Sequence, residues 1–241
     1  MWVPLLIAIQ FLTILPVKLN NELTEQAIGR SLSFYPLVGL LIGLVLTLLA
    51  WSLSAQPVMV SASLLLLVWV VLTGALHLDG LADSADAWLG GIGDKARTLS
   101  IMKDPAAGPI AVATIVLVLL LKFVMLTILL SQQNWAALIW SVVLARTALP
   151  LLFLTTDYVR PHGLGSILKQ QQSALTTRRL ILAVSLIALF SIGLFALLFA
   201  LLVFLLLRYM MERRLNGFTG DTAGAMVELL EAALLIFFVL I

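Results

Sequence analysis

Apolar residues in this chain fall in long unbroken blocks, and the polar residues collect in the gaps between them. Phe34–Ser54, Val58–Leu76, Pro109–Leu130 and Trp135–Leu154 each have roughly the twenty residues that a helix needs to cross a hydrocarbon core of ~30 Å. Leu180–Leu207 is longer, and as one straight helix it would reach ~42 Å. That length predicts either a strong tilt or a break near Ser191-Ile-Gly193 into a hairpin-like pair of shorter helices. Ala223–Ile241 forms the last block. Trp2–Pro16 is apolar but bracketed by Pro4 and Pro16, too short to cross, and predicts a helix that lies in the interface or re-enters. The fold expected is all-α: a polytopic transmembrane helical bundle with a short N-terminal interfacial or re-entrant helix, one integral membrane domain over residues 1–241.

Composition agrees. Hydrophobic residues make up 62% and charged residues 11% of the chain, and the mean hydropathy is +1.15, far from the values of a soluble domain. The first apolar stretch has neither the basic flank nor the cleavage pattern of a signal peptide. With no cysteine, disulfides, thiolate metal sites and thiol catalysis are excluded. The net charge of +2 gives no case for nucleic acid.

The basic residues instead assign sides. The loops 18–33, with Lys18, Arg30, Glu22 and Glu25, 77–108 and 155–179 share one side if the four blocks between them cross once, and the turns 55–57 and 131–134 on the other side hold no Lys or Arg. The positive-inside rule makes the charged side cytoplasmic. Arg208, Arg213 and Arg214 belong there too, which requires two passes within 180–207. Gly39 and Gly43 form a small-xxx-small pair that lets another helix approach, and would permit a homodimer.

Four titratable groups, His77, Asp79, Asp83 and Asp86, crowd into ten positions directly after the second block. The three acids stand at i, i+4 and i+7, one stripe of a helix that Gly90-Gly91 would end. Three like charges on a stripe repel one another, and an all-oxygen cluster suits a hard cation such as Mg²⁺ together with phosphate oxygens; the bland alternative is a solvated helix start whose acids favour its positive end. A second constellation follows Gly217. Asp221 opens the last helix, where it could serve simply as a cap, and Glu228 and Glu231 continue its face into the apolar block. Lys122 falls near mid-membrane and Arg146 eight to nine residues from the end of its block. Bases at such depth face the bundle, meeting an acid or a ligand anion, or else snorkel to the headgroups. Pairing of the two glutamates with these bases is the structural alternative to a ligand site. No Walker A, HExxH or GxSxG pattern occurs.

Gly74-Ala-Leu-His-Leu-Asp-Gly-Leu-Ala-Asp-Ser-Ala-Asp86, with Gly220-Asp-Thr-Ala-Gly-Ala225 and the following Val-Glu-Leu-Leu-Glu231, resembles the cobalamin synthase family, the adenosylcobinamide-GDP ribazoletransferases. Phe11-Leu-Thr-Ile-Leu-Pro-Val17, Phe34-Tyr-Pro-Leu-Val-Gly39, Ile101-Met-Lys-Asp104, Lys122, Ala145-Arg146 and Gly163-Leu-Gly165 extend the resemblance over nearly the whole chain. Departures occur at Ala87-Trp88 and at Asp104-Pro-Ala-Ala-Gly108, which lacks an expected basic residue and a nearby His.

The resemblance implies an inner-membrane enzyme, its site facing the cytoplasm, that uses Mg²⁺ to transfer the adenosylcobinamide-phosphate group from adenosylcobinamide-GDP to α-ribazole or its 5′-phosphate, releasing GMP. Asp79, Asp83 and Asp86 would hold the metal, and His77, Asp104 or Asp221 would take the hydroxyl proton. Lys103, Lys122, Arg146, Gly163, Gly165, Gly220, Thr222 and Glu228 would contact substrate, with the 155–179 loop steadying phosphate or GMP. A CDP-alcohol phosphotransferase shares the logic of an Asp-rich helix, but its pattern carries an Arg that the Asp79-Gly80-Leu-Ala-Asp83 run lacks. On composition alone a transporter is a third possibility.

Overall fold

The computed structural model describes residues 2–19 and 23–241; Met1 and residues 20–22, including Glu22, lie outside it. Among the described residues eleven α-helices occur: α1 Val3–Leu12, α2 Glu25–Ser31, α3 Tyr35–Ser52, α4 Val58–Leu72, α5 Leu76–Gly90, α6 Lys95–Ile101, α7 Pro109–Ser131, α8 Trp135–Thr155, α9 Leu164–Gln171, α10 Ala174–Leu215 and α11 Gly220–Leu240. Five segments are long and apolar enough to cross a membrane: α2 running on through α3, then α7, α8, α10 and α11. The chain is a multi-pass helical membrane protein.

Helix α8 is the axis of the bundle. In its most apolar window 78% of the residues are buried, against 11% in α10, so α8 is wrapped by protein while α10 faces outward. Gly39 and Gly43 pack inward on α8, where a Cβ on Gly43 would stand 2.9 Å from the Ile139 Cα. The glycine pair therefore serves an internal helix contact, which accounts for its small residues without a homodimer.

One expected boundary shifts. The second block ends as a helix at Leu72, because Gly74 and Ala75 both adopt positive φ (59° and 53°) and bend the chain by 86° into α5. The acidic helix is thus a separate element. The long block breaks where expected, with Gly193 at φ 84°, ψ 171°. At one end of α8, Gln172 donates to the Pro150 carbonyl and Arg208 to Thr155 and Thr156, whereas Trp140, further back along α8, donates to Ser191. Ile181 and Ser185 share a small cavity with Ala200, Leu201 and Phe204. So α10 runs out, turns at Gly193 and returns, as a hairpin must. Helix α1 is ten residues and ~15 Å long, too short to cross. It is tied to the α4–α5 bend, where the Ile14 amide donates to the Leu72 carbonyl at 2.9 Å.

Polar connections gather at one end. Arg214 donates to the Trp88 carbonyl and to Thr98, Arg160 reaches Asp221, and the Thr219 hydroxyl contacts the Met102 sulfur. The turns 53–57 and 132–134 and the Gly193 turn lie at the opposite end without Lys or Arg.

Candidate active site

Helices α5 and α11 cross at glycines. A Cβ on Gly80 would stand 2.7 Å from the Asp221 carbonyl oxygen, and one on Gly224 would stand 3.3 Å from the His77 Cα. The two polar motifs therefore meet backbone to backbone. Thr219, rather than Asp221, caps α11: its hydroxyl accepts from the Thr222 amide, and the Thr222 hydroxyl accepts from the Thr219 amide. This box satisfies the first amides of the helix and leaves the Asp221 side chain free to point elsewhere. It also engages the Thr222 hydroxyl, predicted to touch substrate, in the cap.

Beside the crossing opens a cavity of about 330 Å³. His77 and Asp79 come to it from α5, Gly220 and Asp221 from α11, Arg160, His162 and Gly163 from the loop before α9, and Gly165 from the first turn of α9. The loop is held by two backbone hydrogen bonds of 2.9 Å, Val159 N–H to the Phe218 carbonyl and Phe218 N–H to the Asp157 carbonyl. The Phe218 ring fixes it further, edge-on to Phe153 and Tyr158 at 4.8 and 5.3 Å between centroids. Arg160 Nη2 thereby reaches Asp221 Oδ2 at 2.5 Å, while its Nε is buried with no partner. Tyr158 lines the same wall; burial pushes its phenol up, so it stays a neutral hydrogen-bonding group near pH 7. The His77 Nδ1 is also buried and unpartnered.

The acidic stripe divides. Asp79 lines the cavity, and Asp83, one turn on, is close enough to feel the charges of Asp79, Asp221 and Arg160. Asp86 is committed elsewhere. Its two oxygens accept from the Gly108 amide at 2.5 Å and the Ala111 amide at 2.9 Å, capping α7 across the α6–α7 connection. Among the described residues no three His, Asp or Glu side chains converge at metal-ligand distance. The three carboxylates of the stripe thus part: Asp79 lies at the cavity with Asp221 opposite, Asp83 stands one turn on, and Asp86 sits at the start of α7. Two carboxylates with substrate phosphate oxygens and water are what Mg²⁺ usually takes.

Other predicted positions lie apart from the cavity. Asp104 is exposed and accepts from the Ala106 amide, and Lys103 is exposed beside it. Lys122, Arg146 and Glu228 are buried among themselves: Lys122 Nζ lies 2.5 Å from both Glu228 Oε2 and Glu231 Oε2, and Arg146 pairs with Glu231. The sequence marks the 155–179 loop for phosphate without singling out Arg160 or His162, and nothing in it points to Tyr158. The Gly163-Leu-Gly165 pair just after them is the one local signal.

The model of the family described as cobalamin-5-phosphate synthase matches residues 4–239. Among curated relatives, the adenosylcobinamide-GDP ribazoletransferase of Pseudomonas fluorescens (strain Pf0-1) is 54% identical over 97% of both chains. That of Stutzerimonas stutzeri is 53% identical over 97% of this chain and 96% of its own, and that of Pseudomonas aeruginosa 53% identical over 96% of both. No solved structure matches. A match of this extent, on a chain whose two polar motifs close one cavity, makes it a member of the cobalamin-5-phosphate synthase family.

Proposed function

We propose that the chain transfers the adenosylcobinamide-phosphate group from adenosylcobinamide-GDP to α-ribazole or its 5′-phosphate, at a site facing the cytoplasm. Family membership supports the reaction and sets aside the CDP-alcohol phosphotransferase and transporter alternatives. The observation that carries it to this cavity is the meeting of Asp79 and Asp221, from two motifs far apart in sequence, with the Arg160 guanidinium and the Gly163–Gly165 loop.

In the step itself the ribazole 3′-hydroxyl oxygen bonds to the cobinamide-side phosphorus. The bond from that phosphorus to the bridging oxygen breaks, and GMP departs with the oxygen. Mg²⁺ held by Asp79 and Asp83 would supply charge neutralisation for the diphosphate and its leaving group. Arg160 binds the diphosphate through the donors that Asp221 leaves free, Asp221 orients it, and His77 takes the hydroxyl proton on its unpaired nitrogen. Asp104, exposed and outside the cavity, has no part in that transfer. The orientation rests on charge: twelve of the fourteen Lys and Arg residues lie outside the apolar blocks, on loops that share one side.

The test is purified protein in detergent with adenosylcobinamide-GDP, α-ribazole and Mg²⁺, read as GMP release. Wild type releases GMP, and Asp79→Asn inserts normally but releases none. Absence of GMP from the wild type, or near-normal turnover by Asp79→Asn, overturns the assignment.

A further inference from the structure

Lys122, Arg146, Glu228 and Glu231 form a buried set of two cations and two anions that the chemistry above does not use. Their exposures are 2%, 0%, 4% and 0%, and none lines the cavity. The set draws in four helices: α7 through Lys122, α8 through Arg146, α11 through both glutamates, and α4 through the Trp69 ring, 4.8 Å below the Lys122 ammonium. Glu228 and Glu231 belong to a longer stripe. Asp221, Gly224, Glu228 and Glu231 stand at i, i+3, i+7 and i+10, hence on one face of α11.

That face reads outward in order: Asp221 at the cavity, Gly224 against His77, then the two anchored glutamates about 10 and 15 Å further along the axis. Apolar side chains pack at crystal density and fix a helix's rotation and height by shape alone. Ion pairs are directional. A lysine between two carboxylates one turn apart, with an arginine on the second, specifies both rotation and height.

We infer that the quartet is a positioning device, setting the register of α11 so that Asp221 faces Arg160 and Gly224 seats His77. Lys122, Arg146 and Glu228 then act through α11 without touching substrate. The inference rests on the function proposed above, since it names Asp221 and His77 as the groups positioned. Removing one member of a buried pair strands a charge and harms any membrane protein. Removing a matched pair keeps the charge balance and isolates the positioning role.

The experiment is Lys122→Met combined with Glu228→Leu, which leaves the Arg146–Glu231 pair in place. The chain has no cysteine, so Leu81→Cys with Ala225→Cys, two residues of one apolar cluster across the α5–α11 seam, gives a clean cross-linking report of register. Wild-type GMP release verifies the underlying function independently. The doubly neutralised protein should insert, melt within a few degrees of wild type, cross-link more slowly, and lose about tenfold or more in kcat with KM for the GDP-linked donor changed by less than about threefold. If that variant does not fold, Lys122→Arg, which keeps the charge balance and changes the reach and geometry of the cation, should show the same split with a kcat loss of about threefold. A kcat within twofold of wild type overturns the inference, as does a large KM rise at preserved kcat, which would make Lys122 and Glu228 substrate contacts.

Discussion

Gly80→Ala isolates the α5–α11 crossing. A methyl group at that position would lie 2.7 Å from the Asp221 carbonyl oxygen and 3.1 Å from its Cα, roughly 0.7 Å inside the 3.4 Å at which ordinary contact begins. The obstacle is backbone and cannot rotate away, so the helices must part by most of that distance. Two effects on stability oppose each other. Alanine gains about 1 kcal/mol over glycine as a mid-helix residue, whereas overpacking at a tight contact costs about 1–3 kcal/mol. The net loss is therefore small, about 0–2 kcal/mol, and the melting temperature falls by only a few degrees. Activity responds differently. The residue displaced is Asp221, and misplacing a catalytic group by ~1 Å can lower turnover about a hundredfold. The expected result is a folded variant whose kcat for GMP release is down about ten- to a hundredfold. The assay pairs thermal unfolding in detergent with steady-state GMP release. Wild-type kcat in Gly80→Ala would refute the claim that this contact sets the site, and loss of folding would refute the estimate of the opposing terms.

Other changes separate residues that the sequence presents as equals. Asp86→Ala removes the side chain that takes two amides at the start of α7, and should destabilise by about 1–2 kcal/mol in thermal melts while sparing more turnover than Asp79→Asn. Arg160→Met frees Asp221 from its partner and removes the diphosphate's guanidinium; KM for the GDP-linked donor should rise about tenfold or more. Gly193→Ala forces a methyl into a conformation essentially reserved for glycine, costing about 1–3 kcal/mol of stability and leaving KM unchanged, as measured by melting and by GMP release.

The sequence conveys the bundle well because membrane burial is a composition signal: blocks of apolar residues reveal their spans without knowledge of neighbours. The break at Gly193 follows from length together with charge, since 28 apolar residues overrun the bilayer and the basic residues 208–214 after them must return to the side they share with the other charged loops. Helix α5 and the crossing motif are legible too, because Gly-Leu-Ala-Asp and Gly-Asp-Thr-Ala-Gly are unusual beside apolar blocks. What local spacing cannot convey is which partner a side chain finds. Asp79, Asp83 and Asp86 share a stripe in sequence, yet the α6–α7 connection brings two amides onto the third, which caps α7. The partners of Glu228 and Glu231 are of the same kind: the sequence offers Lys122 and Arg146 as candidates, and only the packing of α7 and α8 against α11 chooses them. Arg160 escapes notice because its position depends on a two-bond bridge between loops some sixty residues apart.

The hairpin of α10 has a consequence for where the enzyme can work. Both of its ends are pinned beside the loops that shape the cavity, while its tip at Gly193 lies at the opposite surface, tied to α8 by the Trp140–Ser191 hydrogen bond. The bonds that tie α10 to the polar end come from Gln172, Arg208 and Arg214, at or beyond its two bases, and none comes from the tip. The cavity lies at the other end from that tip, so turnover should tolerate changes at the tip better than changes at the hairpin's two bases.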